Sequence, residues 1–421
     1  MFKKLILGAL AVALTACSIV SKNAPSGTVQ LLSGDTTKLT LFTHDERKLM
    51  ASGVLTLGDN ERAISINRLS DSIEVSWHDS WWAGFEIEFP EPKNLSGYRS
   101  GAYVFNLHLE QFNNAGFDFA RLCGDGCERR LSLTNQVLPM LNQGLQTVAL
   151  PMACVLRAND TLFAERTPLR FATGGSGKLT LSDMRIEARM PQVDIVFNCP
   201  DYQTVSVTPA PLDEHWAKSW WLPRHEQKLN SVISSDPQLV FIGDSITQGW
   251  EESGKLVFDQ AFAEWPSLNL GFSGDRTENV LWRLQHGEVD GINPELVVLM
   301  IGTNNTGHRQ DDPVVIARGV EQILTELKSR LPGSRVLMLA IFPRGASADD
   351  YLRRNNALSN ARLRNLADGE RVIFADINSV FLDKDGNLSK EIMPDLLHPN
   401  EYGYQLLANK LIPLIQQYIS P

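Results

Sequence analysis

A serine, a histidine and an aspartate stand in this chain at spacings that ester chemistry can use. The serine lies in Phe241-Ile242-Gly243-Asp244-Ser245-Ile246-Thr247-Gln248-Gly249-Trp250, and the other two in Asp395-Leu396-Leu397-His398. Ser245 follows the apolar run Leu239-Val240-Phe241-Ile242, which reads as a buried strand. Gly243 permits a sharp turn after it. The hydroxyl would then open a helix at the strand's C-terminal edge, where open α/β sheets collect their sites. In that place Ser245 is a candidate nucleophile. His398 is the candidate base that takes its proton and returns it to the leaving group. Asp395 is the candidate partner that fixes the imidazole tautomer. The three-residue spacing of Asp395 and His398 lets one loop deliver both.

Such groups need a scaffold, and the second half of the chain carries the pattern for one. Apolar strand candidates at about 238–243, 267–272, 295–301, 335–342 and 371–376 alternate with helix-like segments. Those segments fall at about 276–286, 312–331, 350–367 and 400–418. The alternation predicts a parallel, doubly wound α/β sheet over residues 212–421. Residues 46–200 read as all-β. Ser72-Ile73-Glu74-Val75-Ser76-Trp77 and Phe85-Glu86-Ile87-Glu88-Phe89 alternate polar and apolar. Segments 103–109, 147–150, 178–181 and 184–188 add short strands. Short strands divided by turn residues predict a sandwich or jelly roll. The Pro-containing stretch 201–211 predicts a linker between the halves.

The chain has 421 residues, 43% hydrophobic and 21% charged, which is room for two or three domains and a sizeable core. A net charge of −10, with no basic run or basic–aromatic stripe, disfavours nucleic acid as a partner. At the N-terminus, Lys3 and Lys4 precede an apolar stretch from Leu5 to Leu14. It is too short to span a membrane and predicts an export signal. Leu14-Thr15-Ala16-Cys17 resembles a bacterial lipoprotein signal over residues 1–16, with lipid on the Cys17 sulfur. Ser18 then implies an outer-membrane destination, with the face open. A plain secretory signal is the alternative. Residues 17–45 are expected to be the lipidated cysteine and a tether. The remaining cysteines, Cys123, Cys127, Cys154 and Cys199, are even in number in an exported chain, which predicts disulfides. Cys123–Cys127 with Cys154–Cys199 is the expected pairing, because Cys123-Gly124-Asp125-Gly126-Cys127 is a Gly-rich turn that brings its ends together. A zinc site competes, without a histidine at ligand spacing.

Gly243-Asp244-Ser245, Asn269-Leu270-Gly271-Phe272-Ser273-Gly274-Asp275, Gly302-Thr303-Asn304-Asn305 and Asp395-Leu396-Leu397-His398 match, in order, the four sequence blocks of the SGNH (GDSL) hydrolases. The chain resembles that family over about residues 212–421. The run from Asn269 to Leu284, with Val280-Leu281-Trp282-Arg283-Leu284, looks like the alpha subunits of intracellular platelet-activating factor acetylhydrolase. The resemblance implies a flavodoxin-like hydrolase domain with Ser245, Asp395 and His398 as its catalytic residues. It also implies an oxyanion hole made by the backbone N–H groups of Ser245 and Gly274 and the side-chain amide of Asn304. The mechanism calls for no metal and no cofactor. Asp244 is expected to hold the turn, and Asp275 and Thr277 to cap the next helix.

The β-rich half resembles the ExoP-type, galactose-binding-like accessory domain of bacterial exo-β-glucanases over about residues 46–190. The matching stretches are 122–127, 150–154, 167–171 and 181–186. Such domains accompany polysaccharide-degrading enzymes, which implies sugar polymers as the neighbourhood. Trp81 and Trp82 are candidates for a sugar-stacking platform. Trp77 is expected in the core, since it follows an alternating strand.

Other patterns carry less. No Gly-x-Ser-x-Gly elbow is present. Gly174-Gly175-Ser176-Gly177-Lys178 fails as a phosphate loop, because Ala172 stands where the first glycine belongs and Leu179 where Ser or Thr is needed. It is expected to be a turn between strands, and Arg344 a solvated loop residue. The expected whole is a lipid-anchored, exported serine esterase that removes small acyl groups, acetyl first, from carbohydrate through an acyl-Ser245 intermediate. Two alternatives stay open: an acetylhydrolase or lysophospholipase of lipid esters, and a carbohydrate-binding surface lipoprotein with an inactive hydrolase half.

Overall fold

The computed structural model describes residues 27–32, 38–50, 52–59, 61–89, 94–124, 126–157, 160 and 169–419. The expected export signal and Cys17 lie outside these residues.

The first half is mainly β. Its strands are β1 (Thr28–Gln30), β2 (Lys38–Phe42), β3 (Arg47–Met50), β4 (Gly53–Gly58), β5 (Ala63–Arg68) and β6 (Ser72–Glu88). They continue with β7 (Ala102–Gly124), β8 (Cys127–Ser132), β9 (Gln146–Pro151), β10 (Leu169–Glu187) and β11 (Ile195–Val196), with a short helix α1 (Thr134–Val137) after β8. Among the described residues they form one 11-stranded network whose spine runs β9-β7-β10-β6-β2. The expected short strands merge into three long ones: β6, β7 and β10 have 17, 23 and 19 residues. Register slips between Thr173 and Gly177, and Asp79, Asn114 and Asp183 take positive φ. Each slip swaps the face turned to the core. Alternation therefore breaks inside a continuous strand, and one strand reads as two. The stretch Gly174–Lys178, expected as a turn, is part of β10. The sheet also starts before residue 46: β1 pairs with β10 and β2 with β6, so residues 28–30 and 38–42 are sheet rather than tether. Phe85, Phe105, Phe117, Phe119 and Phe171 centre the core. Each such burial contributes about 1.5–3 kcal/mol. The expected disulfides, Cys123–Cys127 and Cys154–Cys199, are both present.

The second half contains α2 (Trp221–Ile233), β12 (Leu239–Gly243), α3 (Ser245–Gln248), α4 (Lys255–Ala261), β13 (Ser267–Gly271) and α5 (Thr277–Gln285). It continues with β14 (Leu296–Met300), α6 (Pro313–Arg330), β15 (Arg335–Leu339), α7 (Tyr351–Leu363), β16 (Val372–Ala375) and α8 (Glu401–Ile415). The five strands are parallel in the order β13-β12-β14-β15-β16, the flavodoxin-like arrangement. Val240, Ile242, Val297 and Leu299 face the side of α5 and α6. Leu239, Phe241, Leu296 and Val298 face the side of α4 and α8. Strands covered on both faces read as apolar runs, as β12, β14 and β16 do, whereas β13 reads Ser-Leu-Asn-Leu-Gly. Helix α2 is absent from the sequence reading. Pro223 falls in its first turn, where a missing N–H costs nothing.

The stretch 201–211, expected as a linker, is packed rather than loose. Ser206 is fully buried; its hydroxyl donates to Asp311 Oδ2 at 3.0 Å and its carbonyl accepts from Thr277 Oγ1 at 2.9 Å. The halves also touch directly. Gln310 Nε2 donates to the Gly126 carbonyl at 2.9 Å, and Gln310 Oε1 accepts the Glu128 N–H at 2.7 Å. The small disulfide loop is thereby tied to the loop that follows β14.

Candidate active site

Strand β12 delivers the serine. Gly243 does not take a positive φ. Glycine is required there for space, because a Cβ would collide with Thr247 and with the Met300 carbonyl. Asp244 caps α3, its Oδ1 accepting the Ile246 N–H at 3.0 Å, as a turn-holding residue should. Burial pushes its carboxyl up to about 7, against the opposing pull of the Ile246 N–H and of His398. Ser245 is the first residue of α3, so its N–H belongs to the donors that a helix start leaves without an intrahelical partner.

Ser245 Oγ lies 2.8 Å from His398 Nε2, and His398 Nδ1 lies 2.6 Å from Asp395 Oδ2. The other Asp395 oxygen accepts the N–H groups of Leu397 and His398 at 3.0 and 2.8 Å. Partial burial raises the Asp395 pKa, but the His398 hydrogen bond and those backbone N–H groups outweigh it and hold the carboxyl at about 2. An ionised Asp395 can only accept, so Nδ1 carries the ring proton and Nε2 is left to accept from the serine. Between the two, Leu396 takes φ 60, in the left-handed region. That conformation costs a non-glycine residue about 1–2 kcal/mol. It is held by Leu396 N–H to the Met393 carbonyl at 2.8 Å and by Gly345 N–H to the Leu396 carbonyl at 2.9 Å.

The loops after β13 and β14 bring the remaining donors. Gly274 has φ 79, and a Cβ there would also collide with the Trp216 ring. Its N–H has no acceptor among the described residues. Asn304 Nδ2 donates to the Asp275 carbonyl at 3.0 Å, which leaves its second N–H without a described partner. Ser245, Gly274 and Asn304 thus follow three adjacent strands, at the point where strand order reverses. Gln248 Oε1 accepts the Ser273 N–H at 2.9 Å, and Asn269 Nδ2 donates to the Thr247 carbonyl at 2.8 Å, so the first two loops brace each other.

Several supporting roles differ from expectation. Asp275 does not cap α5. It sits between Trp221 Nε1 at 2.6 Å and Arg283 Nε at 2.8 Å. Thr277 is no cap either; Arg276 is the cap residue, its N–H given to Asn279 Oδ1 at 2.8 Å. Arg344 is half-buried and donates to the Thr303 carbonyl at 2.9 Å, so it holds the Asn304 loop instead of trailing in solvent. Arg283, unread from sequence, is fully buried, pairs with Asp275 and Glu288, and lies 4.0 Å over the Phe272 ring. Its signal was a charge set among Val280, Leu281 and Leu284 of α5. Asn305 joins the linker to the site: its Oδ1 accepts the Thr277 N–H, and its Nδ2 lies 3.1 Å from Ser206 Oγ.

Of the three tryptophans, Trp77 is buried and donates to the Gly174 carbonyl at 2.9 Å. Trp81 and Trp82 line a cavity of about 1120 Å³ between the two halves, which Trp216, Arg276 and His308 close from the other side.

The GDSL-like lipase/acylhydrolase family model matches residues 241–406, a stretch that contains Ser245, Gly274, Asn304, Asp395 and His398. Bovine platelet-activating factor acetylhydrolase IB subunit alpha1 is 30% identical over 212 residues, covering 50% of this chain and 89% of that protein. The chain belongs to the GDSL-like lipase/acylhydrolase family. Rat platelet-activating factor acetylhydrolase IB subunit alpha2 is 32% identical over 200 residues, 47% of this chain and 85% of its own. A galactose-binding domain-like model matches residues 38–186. Among solved structures, an exo-1,3/1,4-beta-glucanase from a Pseudoalteromonas species aligns at 18% identity and TM-score 0.34, over 42% of this chain and 23% of that one. As a member of the GDSL-like acylhydrolases the chain is an ester hydrolase, with a galactose-binding-like domain in front of it.

Proposed function

We propose that this protein is an exported serine esterase that removes small acyl groups, acetyl first, from carbohydrate. The observation that carries the reading is the relay from Ser245 Oγ through His398 to Asp395, at 2.8 and 2.6 Å, beside a cavity walled by the galactose-binding-like half. His398 Nε2 takes the Ser245 proton as Oγ attacks the acyl carbonyl. The oxyanion is met by the N–H groups of Ser245 and Gly274 and by the Asn304 amide. Collapse breaks the bond to the sugar oxygen, which leaves with the proton from His398. Water, deprotonated in turn by His398, attacks the acyl-Ser245, releases the acid and restores the hydroxyl.

The acetylhydrolase relatives support acetyl as the acyl group. Export and lipid on Cys17 belong to the same reading, supported by the signal-like N-terminus and by two disulfides, which persist in oxidising compartments. The test is acetate release from acetylated xylan and acetylated oligosaccharides, with Ser245→Ala beside the wild type. Release that disappears in the variant is expected; no release by the wild type overturns the reading. The similarity to platelet-activating factor acetylhydrolase subunits favours one second reading, hydrolysis of lipid acetyl esters. Acetylated phospholipid turned over in place of acetylated sugar would establish it.

A further inference from the structure

We infer that the cavity between the two halves holds the sugar chain of the substrate, so that the β half completes the active site instead of binding carbohydrate elsewhere. The inference rests on the function proposed above and assigns the sugar a place.

Position comes first. None of Ser245, Gly274, Asn304 and His398 lines the cavity, but Trp216 and His308, which do, adjoin the two loops that carry Gly274 and Asn304. Trp216 lies against Gly274, so close that no side chain fits there, and meets His308 edge to face at 6.1 Å between centroids. His308 stands on the turn that begins just after Asn304. An ester carbonyl seated on Gly274 and Asn304 therefore has Trp216 beside it and the cavity behind Trp216.

The lining carries both kinds of group that a sugar engages, aromatic faces and polar side chains. Trp81 is 66% exposed, and the Arg130 guanidinium lies 4.5 Å over the Trp82 ring. Flat aromatic faces pack on the apolar faces of pyranose rings. The same lining carries polar groups that hydroxyls satisfy and methylenes do not. Burial pushes the Asp118 carboxyl up to about 6, against the pull of Arg130. Arg276 lies 3.3 Å from His308 Nδ1. Because arginine only donates, Nδ1 accepts and His308 presents Nε2–H as a donor. Burial, then the guanidinium of Arg276 and those around it, keep this ring neutral. At about 1120 Å³ the cavity exceeds the usual range of about 300–1,000 Å³ for small ligands, which favours an oligosaccharide over one sugar.

The cavity is built, not left over. Gly116 and Gly174 face each other across β7 and β10, and His215 lies on that pair, where a Cβ on either would strike its ring. The segment just after the linker is thereby seated on the sheet, with Trp216 against Gly274. Gln310 and the small disulfide loop fix the opposite side.

The test is steady-state kinetics of the full chain with acetylated xylo-oligosaccharides and with 4-nitrophenyl acetate, in wild type, Trp81→Ala and Asp118→Asn. Trp81 is exposed, so its truncation does not threaten folding. The expected result is a rise in KM for the oligosaccharides, with a loss of kcat/KM at least about 10-fold greater than the loss on the aryl ester, the scale of an aromatic contact residue. Oligosaccharide esters cleaved with the same ratio of the two substrates in both variants would overturn the cavity assignment and leave the function standing. No acetate from any saccharide ester in the wild type would overturn both.

Discussion

The edge of the parallel sheet and the cavity beside it meet at Trp216, and they are built by different means. At the edge, Ser245, Gly274 and Asn304 each follow the end of a short strand whose residues are all but fully buried. Each group is placed by a few consecutive residues, and the sheet does the rest. The cavity wall is collected from β6, β7, β8, β10, the linker and two loops of the other half. Its groups are held by packing and hydrogen bonds between the halves, such as Gln310 to Gly126 and His215 on Gly116 and Gly174. The edge should thus yield losses of chemistry with the fold intact. The junction should yield losses of stability or of substrate choice with the chemistry intact.

The largest effect expected at the edge comes from Asp395→Asn. The amide keeps an acceptor for the Leu397 and His398 N–H groups but reverses the tautomer demanded of His398. In a serine-protease triad the equivalent change lowers kcat by about 10⁴, and a loss of that order is expected here, with the thermal midpoint little changed. Turnover within about tenfold of wild type would show that Asp395 does not set the tautomer. A midpoint that fell with activity would show that the edge is no more independent of the fold than the junction is.

At the junction the corresponding change is loss of Cys154–Cys199, with a sequence separation of 45. Closing a loop of that length is worth about 4 kcal/mol, against about 2 for the separation of 4 between Cys123 and Cys127. Denaturant unfolding of the double variant Cys154→Ala/Cys199→Ala should show the larger loss, while kcat on 4-nitrophenyl acetate persists in the folded fraction. Removing Cys123–Cys127 should cost less stability. Its loop carries the Gly126 carbonyl that Gln310 holds, so it should disturb saccharide esters more than aryl ones. Equal unfolding costs for the two pairs would contradict the loop-length argument.

Returning to the edge, Asn304→Ala removes one of the three oxyanion donors of the proposed mechanism, and kcat should fall by about 10²–10³. Asn304 also donates to the Asp275 carbonyl at 3.0 Å. A change confined to KM would assign it to holding that loop, leaving the Ser245 and Gly274 N–H groups to meet the oxyanion.

The same contrast decides what could be read from sequence. Most of the parallel strands were legible because burial on both faces makes them apolar runs, though β13 carries Ser267 and Asn269. The four motif blocks were legible because each group is placed by residues next to it in the chain. The role of Arg283 was not, although its partners Asp275 and Glu288 stand only 8 and 5 residues away, because a charge on a short helix reads as solvated until its burial is seen. Strands β6 and β10 were read in pieces because a bulge reverses the alternation that identifies a strand. Trp81 and Trp82 were legible as candidates for a stacking platform. What they face was not, since Trp216 and His308 reach them only through the packing of one half on the other.

An effect on stability alone concerns Asp244, the residue before the nucleophile, which is fully buried. A carboxyl with pKa near 3.9 in the unfolded chain and about 7 in the folded one binds more protons when folded between those values. Stability should then fall as pH rises from about 4 to about 7 and level off above, with a contribution of up to about 1.4 kcal/mol per pH unit across the window. Asp244→Asn keeps an oxygen for the Ile246 N–H but does not titrate. Its unfolding free energy, measured across pH 4–8, should lack that part of the slope and should exceed wild type most at the alkaline end. Parallel curves for the two proteins would mean that Asp244 is charged in the folded state throughout. The charge would then have to be held by something other than the Ile246 N–H alone, because Asp244 Oδ2 is buried without a hydrogen-bond partner. Parallel curves would also bring the edge closer to the junction in kind, with a buried charge held by surroundings that no single strand end provides.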